Sequence, residues 1–442
     1  MKSLLFFPIC VITFCCLSCT EKRKELDQRS NKPHIILIMA DDLGYETLGV
    51  YGSDSYHTPH LDNLAREGMR FDHCYSTPLC TPSRVQLMTG KYNFRNYVGF
   101  GLLDAKEKTF GHYMQQAGYK TLVAGKWQLW GNERQQELAG GRVGSTPEQA
   151  GFEDYCLWQI DERGSRYKDP HLSRKQKDTE TFPGAYGPDL FVDYIESFMD
   201  AHQNGPMFIY YPMVLTHDPF VPTPKNPGFK DFDNASKTND TTYFGEMVGY
   251  MDLLVGKIVK KTEDLGIREN TLILFIGDNG TDTDVTSVIN GVALTGDKGN
   301  TTNAGTHVPM IANWKGKIKA GSVNENLIDF TDFVPTLLET AKANLSNTSQ
   351  TDGHSFYPQL LDRETKVRDW IFCDYAPNWG KFKARRYVQD KKWKLYGNGA
   401  FYNLEDDPLE EDPLDTAEQP EALKPLLQEF KKVLETYNNQ NP

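Results

Sequence analysis

The chain has 442 residues, 39% of them hydrophobic and 24% charged, which is enough apolar material for a large core and excludes a mini-protein or a disordered tail. Its 48 Lys and Arg stand against 60 Asp and Glu, a formal charge of −12. That excludes a broad nucleic-acid-binding surface, so an anionic partner has to meet a local basic site. Cys10, Cys15, Cys16 and Cys19 crowd the start, leaving Cys74, Cys80, Cys156 and Cys373 in the body, too few for a disulfide scaffold.

Met1-Lys2 precedes an uncharged run from Ser3 to Thr20 rich in Leu, Ile, Phe and Val, and charged Glu21-Lys22-Arg23-Lys24 follows. This reads as an export signal over residues 1–18. A transmembrane anchor fits less well, because Pro8 interrupts an already short run. Cys16-Leu17-Ser18-Cys19 resembles a bacterial lipoprotein box. The resemblance implies cleavage behind Ser18 and acylation of Cys19, with the mature protein in the periplasm or on the outer membrane and touching the bilayer only through that lipid. Residues 19–32 then form a lipidated tether, residues 33–362 the main domain and residues 363–442 a C-terminal subdomain.

Four apolar segments each run into a polar cluster. His34 to Ala40 meets Asp41-Asp42-Leu43-Gly44, Thr121 to Ala124 meets Gly125-Lys126-Trp127, Met207 to Leu215 meets Thr216-His217-Asp218-Pro219, and Thr271 to Ile276 meets Gly277-Asp278-Asn279-Gly280. Near-continuous Val/Ile/Leu runs suit strands buried on both faces, and Leu61, Leu64, Ala65 and Met69 between them have helical spacing. The expected architecture is α/β, a large mostly parallel sheet flanked by helices. In such a sheet, polar clusters at the carboxyl ends of the strands converge on one site, although loops are polar everywhere.

Asp41, Asp42, Asp278 and Asn279 make a hard-oxygen set without a matching His or Cys pair, which selects Ca²⁺ or Mg²⁺ over zinc. Taken alone, such pairs also serve as ordinary turn and cap residues. Further along, Pro82 suits the first turn of a helix, placing Cys80 at its amino end, where free N–H groups and the helix dipole favour an anion. Arg84 lies one turn on and points back toward the same end, and Gly90 can close the helix.

Cys80-Thr81-Pro82-Ser83-Arg84, continued by Leu87-Met88-Thr89-Gly90, resembles the Cys-X-Pro-X-Arg maturation signature of the formylglycine-dependent (type I) sulfatases. The preceding Asp-Asp-Leu-Gly and the later Gly-Asp-Asn-Gly fall in that family's order, and the likeness runs from Pro33 to the Trp393-Lys394-Leu395 and Tyr402-Asn403-Leu404-Glu405 segments. It implies an alkaline-phosphatase-like fold with a smaller C-terminal α+β subdomain carrying an antiparallel sheet. It also implies sulfate-ester hydrolysis by Cys80 after conversion to formylglycine by a maturation enzyme, and a calcium ion held by Asp41, Asp42, Cys80, Asp278 and Asn279. Lys126 and Lys298 match the family's sulfate-binding lysines and His217 its leaving-group histidine, with Arg84 beside the nucleophile.

Two positions depart from the family. Gln128 follows Gly-Lys-Trp where the family has His, and an amide can hydrogen-bond a substrate hydroxyl but cannot act as a base; His307 stands in Gly305-Thr306-His307-Val308-Pro309 where Arg is common. Weaker candidates for carbohydrate contact are the basic stretch Lys168, His171, Arg174, Lys175 and Lys177, and Tyr375, Trp379 and the run from Lys381 to Arg386. The leading expectation is a sulfatase acting on a sulfated carbohydrate. The alternatives are a sulfatase-like binding protein with lost turnover, favoured by Gln128 alone, and a phosphoesterase of the same superfamily, which the single metal set disfavours.

Overall fold

The computed structural model describes residues 32–234, 239–343 and 351–438. The export signal, Cys19 and all but the last residue of the tether lie outside the described residues. Among those described, no helix is long and apolar enough to cross a membrane.

Sixteen strands are described: β1 (His34–Ala40), β2 (Met69–Tyr75), β3 (Lys120–Lys126), β4 (Asp154–Trp158), β5 (His171–Arg174), β6 (Lys177–Thr181), β7 (Met207–Pro212), β8 (Thr271–Gly277), β9 (Thr286–Ile289), β10 (Val292–Thr295), β11 (His307–Asn313), β12 (Ser322–Asp329), β13 (Ile371–Tyr375), β14 (Arg385–Gln389), β15 (Trp393–Tyr396) and β16 (Phe401–Asn403). Ten of them form one sheet in the order β12-β2-β11-β8-β1-β7-β3-β4-β5-β6. Its centre, β8-β1-β7-β3-β4, is parallel throughout. The sheet as a whole is mixed, because β11 runs antiparallel to β2 and β8, and β5 and β6 are antiparallel at the far edge.

Every residue of β1, β7 and β8 is buried, as the unbroken apolar runs require of strands covered on both faces. Side chains alternate between two cores. Ile36 and Ile38 pack with Leu61, Phe191, Ile195, Met247 and Leu254 on one side, while Ile35 and Leu37 pack with Val85, Phe110, Phe333 and Leu337 on the other. The helices Pro59–Arg66, Gly187–His202 and Phe244–Asp264 therefore cover one face, and Cys80–Thr89, Phe110–Gln116 and Phe333–Thr340 the other. Met69, which continued the helical spacing of Leu61 and Leu64, instead begins β2, since the helix ends at Arg66.

β9 and β10 pair as a two-stranded antiparallel sheet, and a four-stranded antiparallel sheet, β13-β14-β15-β16, packs Val388, Leu395 and Phe401 against Leu427, Phe430, Val433 and Leu434 of helix Lys424–Asn438. The four-stranded sheet is tied to the large sheet through Arg368, whose buried guanidinium Nε donates to both carboxylate oxygens of Asp332 at 2.9 and 2.7 Å. The Tyr375 hydroxyl donates to the Gly299 carbonyl at 3.0 Å, so this subdomain also buttresses the loop that carries Lys298.

Candidate functional site

The parallel block aligns the carboxyl ends of its strands, so the residues that follow them meet: Asp41 and Asp42 after β1, Lys126 at the end of β3, His217 beyond β7, and Asp278 and Asn279 after β8. The Asp42 backbone, at φ 59°, turns its N–H to Asp278 Oδ1 at 2.9 Å, and Asn279 Nδ2 donates to Asp42 Oδ1 at 2.8 Å. Asp278 Oδ2 and Asn279 Oδ1 are buried with no hydrogen-bond partner. Ligand atoms of Asp41, Cys80 and Asp278 lie within 4.8 Å of one another. Unsatisfied buried oxygens beside further carboxylates are a donor set that could hold a divalent cation of the calcium or magnesium type.

Electrostatics divide these acids. Burial opposes ionisation of Asp41, but Lys126, His217 and Lys298 outweigh it and hold its carboxyl well below the usual range. Asp278 has no such cation in contact. Burial, then the charges of Asp41 and Asp42, push it well above the ordinary carboxylate value, as expected where like charges share a dry site. Lys126 Nζ donates to both Asp41 oxygens at 2.8 Å, and Lys298 Nζ pairs with Asp42 Oδ2. Burial works against the charge of both lysines, yet Asp41 and Asp42 respectively raise them above the ordinary lysine value.

Cys80 is the first residue of helix Cys80–Thr89, all ten residues of which are buried, and Gly90 closes it at φ 69°. Burial pushes the Cys80 thiol up despite the pull of Lys126, so the unmodified side chain is a protonated thiol and a poor nucleophile. Arg84, fully buried, donates from Nη2 to the Lys126 carbonyl at 2.6 Å, and its Nε and Nη1 have no hydrogen-bond partner. His217 is oriented by Asp218, whose Oδ1 lies 2.6 Å from Nδ1. Its Nε2 faces Lys298 Nζ at 3.3 Å and Asp42 Oδ2 at 3.7 Å.

These residues border a cavity of about 450 Å³, lined by Cys80, Gln128, His217 and Lys298 and walled by Trp158 and Trp379. Gln128, at φ 45°, accepts from Cys80 Sγ at 3.9 Å through Oε1. Several weaker candidates fall outside it. Lys168 is spent on the Lys230 and Phe232 carbonyls, and His171, Arg174 and Lys175 pair with Glu162, Glu180 and Glu148. The stretch 171–181 forms the edge strands β5 and β6, not a free basic loop. Tyr375 is buried structure, Arg386 pairs with Asp374, and Trp379 and Lys381 do line the cavity. His307 is stacked on Tyr45 and Tyr75. Arg134, Arg163 and Arg166, which sequence reading missed, line it too; the signal for the last two was their place just beyond the parallel strand β4.

Comparison with known proteins agrees with this geometry. The sequence profile of the sulfatase family matches residues 33–343, and that of the N-sulphoglucosamine sulphohydrolase C-terminal region matches residues 296–440. Human arylsulfatase A is 31% identical over 81% of this chain and 75% of its own. Dog N-acetylgalactosamine-6-sulfatase is 28% identical over 83% of this chain and 74% of its own. The crystal structure of Ps i-CgsB superposes with a TM-score of 0.76 at 25% identity, covering 93% of this chain and 94% of that one. Sheet order, strand-end acids and the matched profiles lead to one conclusion: the chain belongs to the sulfatase family and is a sulfuric ester hydrolase.

Proposed function

We propose that the protein hydrolyses sulfate esters of a carbohydrate, using Cys80 matured to formylglycine (3-oxoalanine) and a calcium or magnesium ion held by Asp41, Asp42, Asp278, Asn279 and the modified Cys80. The observation that carries this is the meeting of Cys80 with Asp41 and Asp278 within 4.8 Å, beside the unsatisfied Asp278 and Asn279 oxygens. The name of one relative, N-acetylgalactosamine-6-sulfatase, supports the carbohydrate. Export and an acylated Cys19 belong to the same reading.

When present, the ion supplies positive charge to the sulfate, and the hydrated aldehyde supplies a hydroxyl nucleophile and a second hydroxyl whose proton loss frees the sulfate. The chain's own groups do the rest. Lys126 and Lys298, held protonated, neutralise charge on the sulfate oxygens. Asp218 occupies His217 Nδ1, which leaves Nε2 turned toward the cavity to protonate the departing alcohol oxygen. Arg84 fixes the Lys126 backbone from inside the helix that presents Cys80, and its free N–H groups favour negative charge there.

Peptide mass analysis tests this directly. The peptide containing Cys80 should be ~18 Da lighter than its thiol form, the change from thiol to aldehyde that covalent catalysis here requires. Cys80→Ala should reduce sulfate release to background; full activity of that variant would overturn the proposal.

A further inference from the structure

The catalytic cavity holds more positive charge than one sulfate ester requires. Besides Lys298, it is lined by Arg134, Arg163, Arg166 and Lys381, in a chain whose net charge is −12. None of these four makes an ion pair among the described residues. The acid among the lining residues is Asp282, whose Oδ2 lies 4.0 Å from Lys298.

Arg166 is the decisive member. It is only 7% exposed, yet its Nη1 has no hydrogen-bond partner. Its guanidinium lies over Trp158, with Cζ 4.2 Å from the ring centroid. The charge is felt at Asp218 without reaching ion-pair distance. A buried guanidinium without an acceptor is unfavourable, and its planar fork is pre-organised for a carboxylate or sulfate. Arg163 and Lys381 are exposed at the rim. Trp379, stacked on Phe100 at 4.7 Å and capped by Arg134 at 5.6 Å, gives the same cavity an aromatic wall suited to a sugar ring.

We infer that Arg166, with Arg163 and Lys381, forms a second anion subsite, so that the substrate is a carbohydrate carrying a further sulfate or a carboxylate besides the ester that is cleaved. This rests on the reading of the cavity as the sulfate-ester site. The scissile group goes to Lys126, Lys298 and Cys80, while the second anion completes the hydrogen bonding of Arg166. A neutral sugar bearing a single sulfate leaves that guanidinium dry and unpaired, which discriminates against it.

Calorimetric titration of Cys80→Ala protein, which cannot turn over, separates the possibilities. The probes are N-acetylgalactosamine 6-sulfate, its disulfated form, and the monosulfated sugar linked to a uronic acid. At least one dianion should bind about tenfold or more tightly than the monosulfate, the range expected for a charged hydrogen bond. Preference for the disulfate identifies sulfate, and preference for the uronate identifies carboxylate. Arg166→Gln should collapse the ratio of dianion to monosulfate affinity toward one. The exposed pair Arg163→Gln with Lys381→Gln should lower the same ratio, which guards against a folding defect at Arg166. Equal affinity for all three probes, no binding by any, or equal weakening of all by Arg166→Gln would overturn the inference. Sulfate release by the unsubstituted enzyme, measured in parallel, tests the hydrolytic reading separately, because its absence alongside an intact dianion preference would remove that reading and leave the subsite standing.

Discussion

Gln128 occupies a left-handed backbone position beside Cys80, with its Oε1 as the acceptor for Sγ. An amide offers donors and an acceptor but takes no proton, so at this place beside Cys80 the chain has a group that can hydrogen-bond but cannot act as a base. Gln128→Ala should raise KM several-fold, in line with a lost hydrogen bond of about 1 kcal/mol, while kcat stays unchanged. A fall in kcat with KM constant would place the amide on turnover instead. His307 illustrates the opposite use of a residue. It is stacked between Tyr45 and Tyr75, donates Nε2–H to the Asp72 carbonyl at 2.8 Å, and is pushed down to about 3 by burial. Its folded value lies below its unfolded one of about 6.5, so the unfolded state binds the extra proton and stability is lost as pH falls from about 6.5 to about 3. The slope from this group is at most about 1.4 kcal/mol per pH unit. Urea midpoints of His307→Gln, compared with the parent across that window, should show a shallower acid decline, and identical slopes would exclude His307 as a contributor.

Between elements, the two loops that carry the acids are pinned together. The Gly44 N–H, just past β1, donates to Thr281 Oγ1 at 3.0 Å, and that hydroxyl donates to the buried Glu46 carboxylate. Thr281 follows β8 by four residues, so one side chain sets the spacing between Asp41-Asp42 and Asp278-Asn279. Thr281→Val keeps the shape and removes both bonds, leaving a buried N–H and a carboxyl oxygen unpaired at a cost of about 1–3 kcal/mol. Thermal unfolding should report that loss, and the calcium concentration giving half-maximal activity should rise; an unchanged calcium requirement would make the contact purely structural.

For the molecule as a whole, Asp41, Asp42 and Asp278 crowd a dry site in which Lys126 pairs with Asp41 and Lys298 with Asp42, while Asp278 has no ion-pair partner among the described residues. A cation that binds the folded state alone stabilises it by mass action. Chelator-stripped protein should therefore gain thermal stability on addition of Ca²⁺ or Mg²⁺, and Asp278→Ala should abolish the gain. Restoration by zinc and not by either hard cation would contradict the oxygen donor set.

What the sequence determined by itself was the parallel heart of the fold and the residues at its strand ends. Strands covered on both faces need unbroken apolar runs such as His34–Ala40 and Thr271–Gly277, and these are visible without coordinates. The short sequence around Cys80 likewise carries its own helix start and stop in Pro82 and Gly90. Tertiary structure decided the rest. The polar edge strands β5 and β6 resemble a charged loop because β5 is held by pairing with β4 and β6 by pairing with β5, not by apolar periodicity. The partnerships of Lys126 with Asp41 and of His217 with Asp218 fix how these side chains are held in the site, and only the first joins residues distant in sequence. Arg166 reads as an ordinary charged residue until Trp158 covers it and leaves its Nη1 unpaired. Burial and pairing of single side chains depend on what the fold brings beside them, and a linear pattern does not encode that.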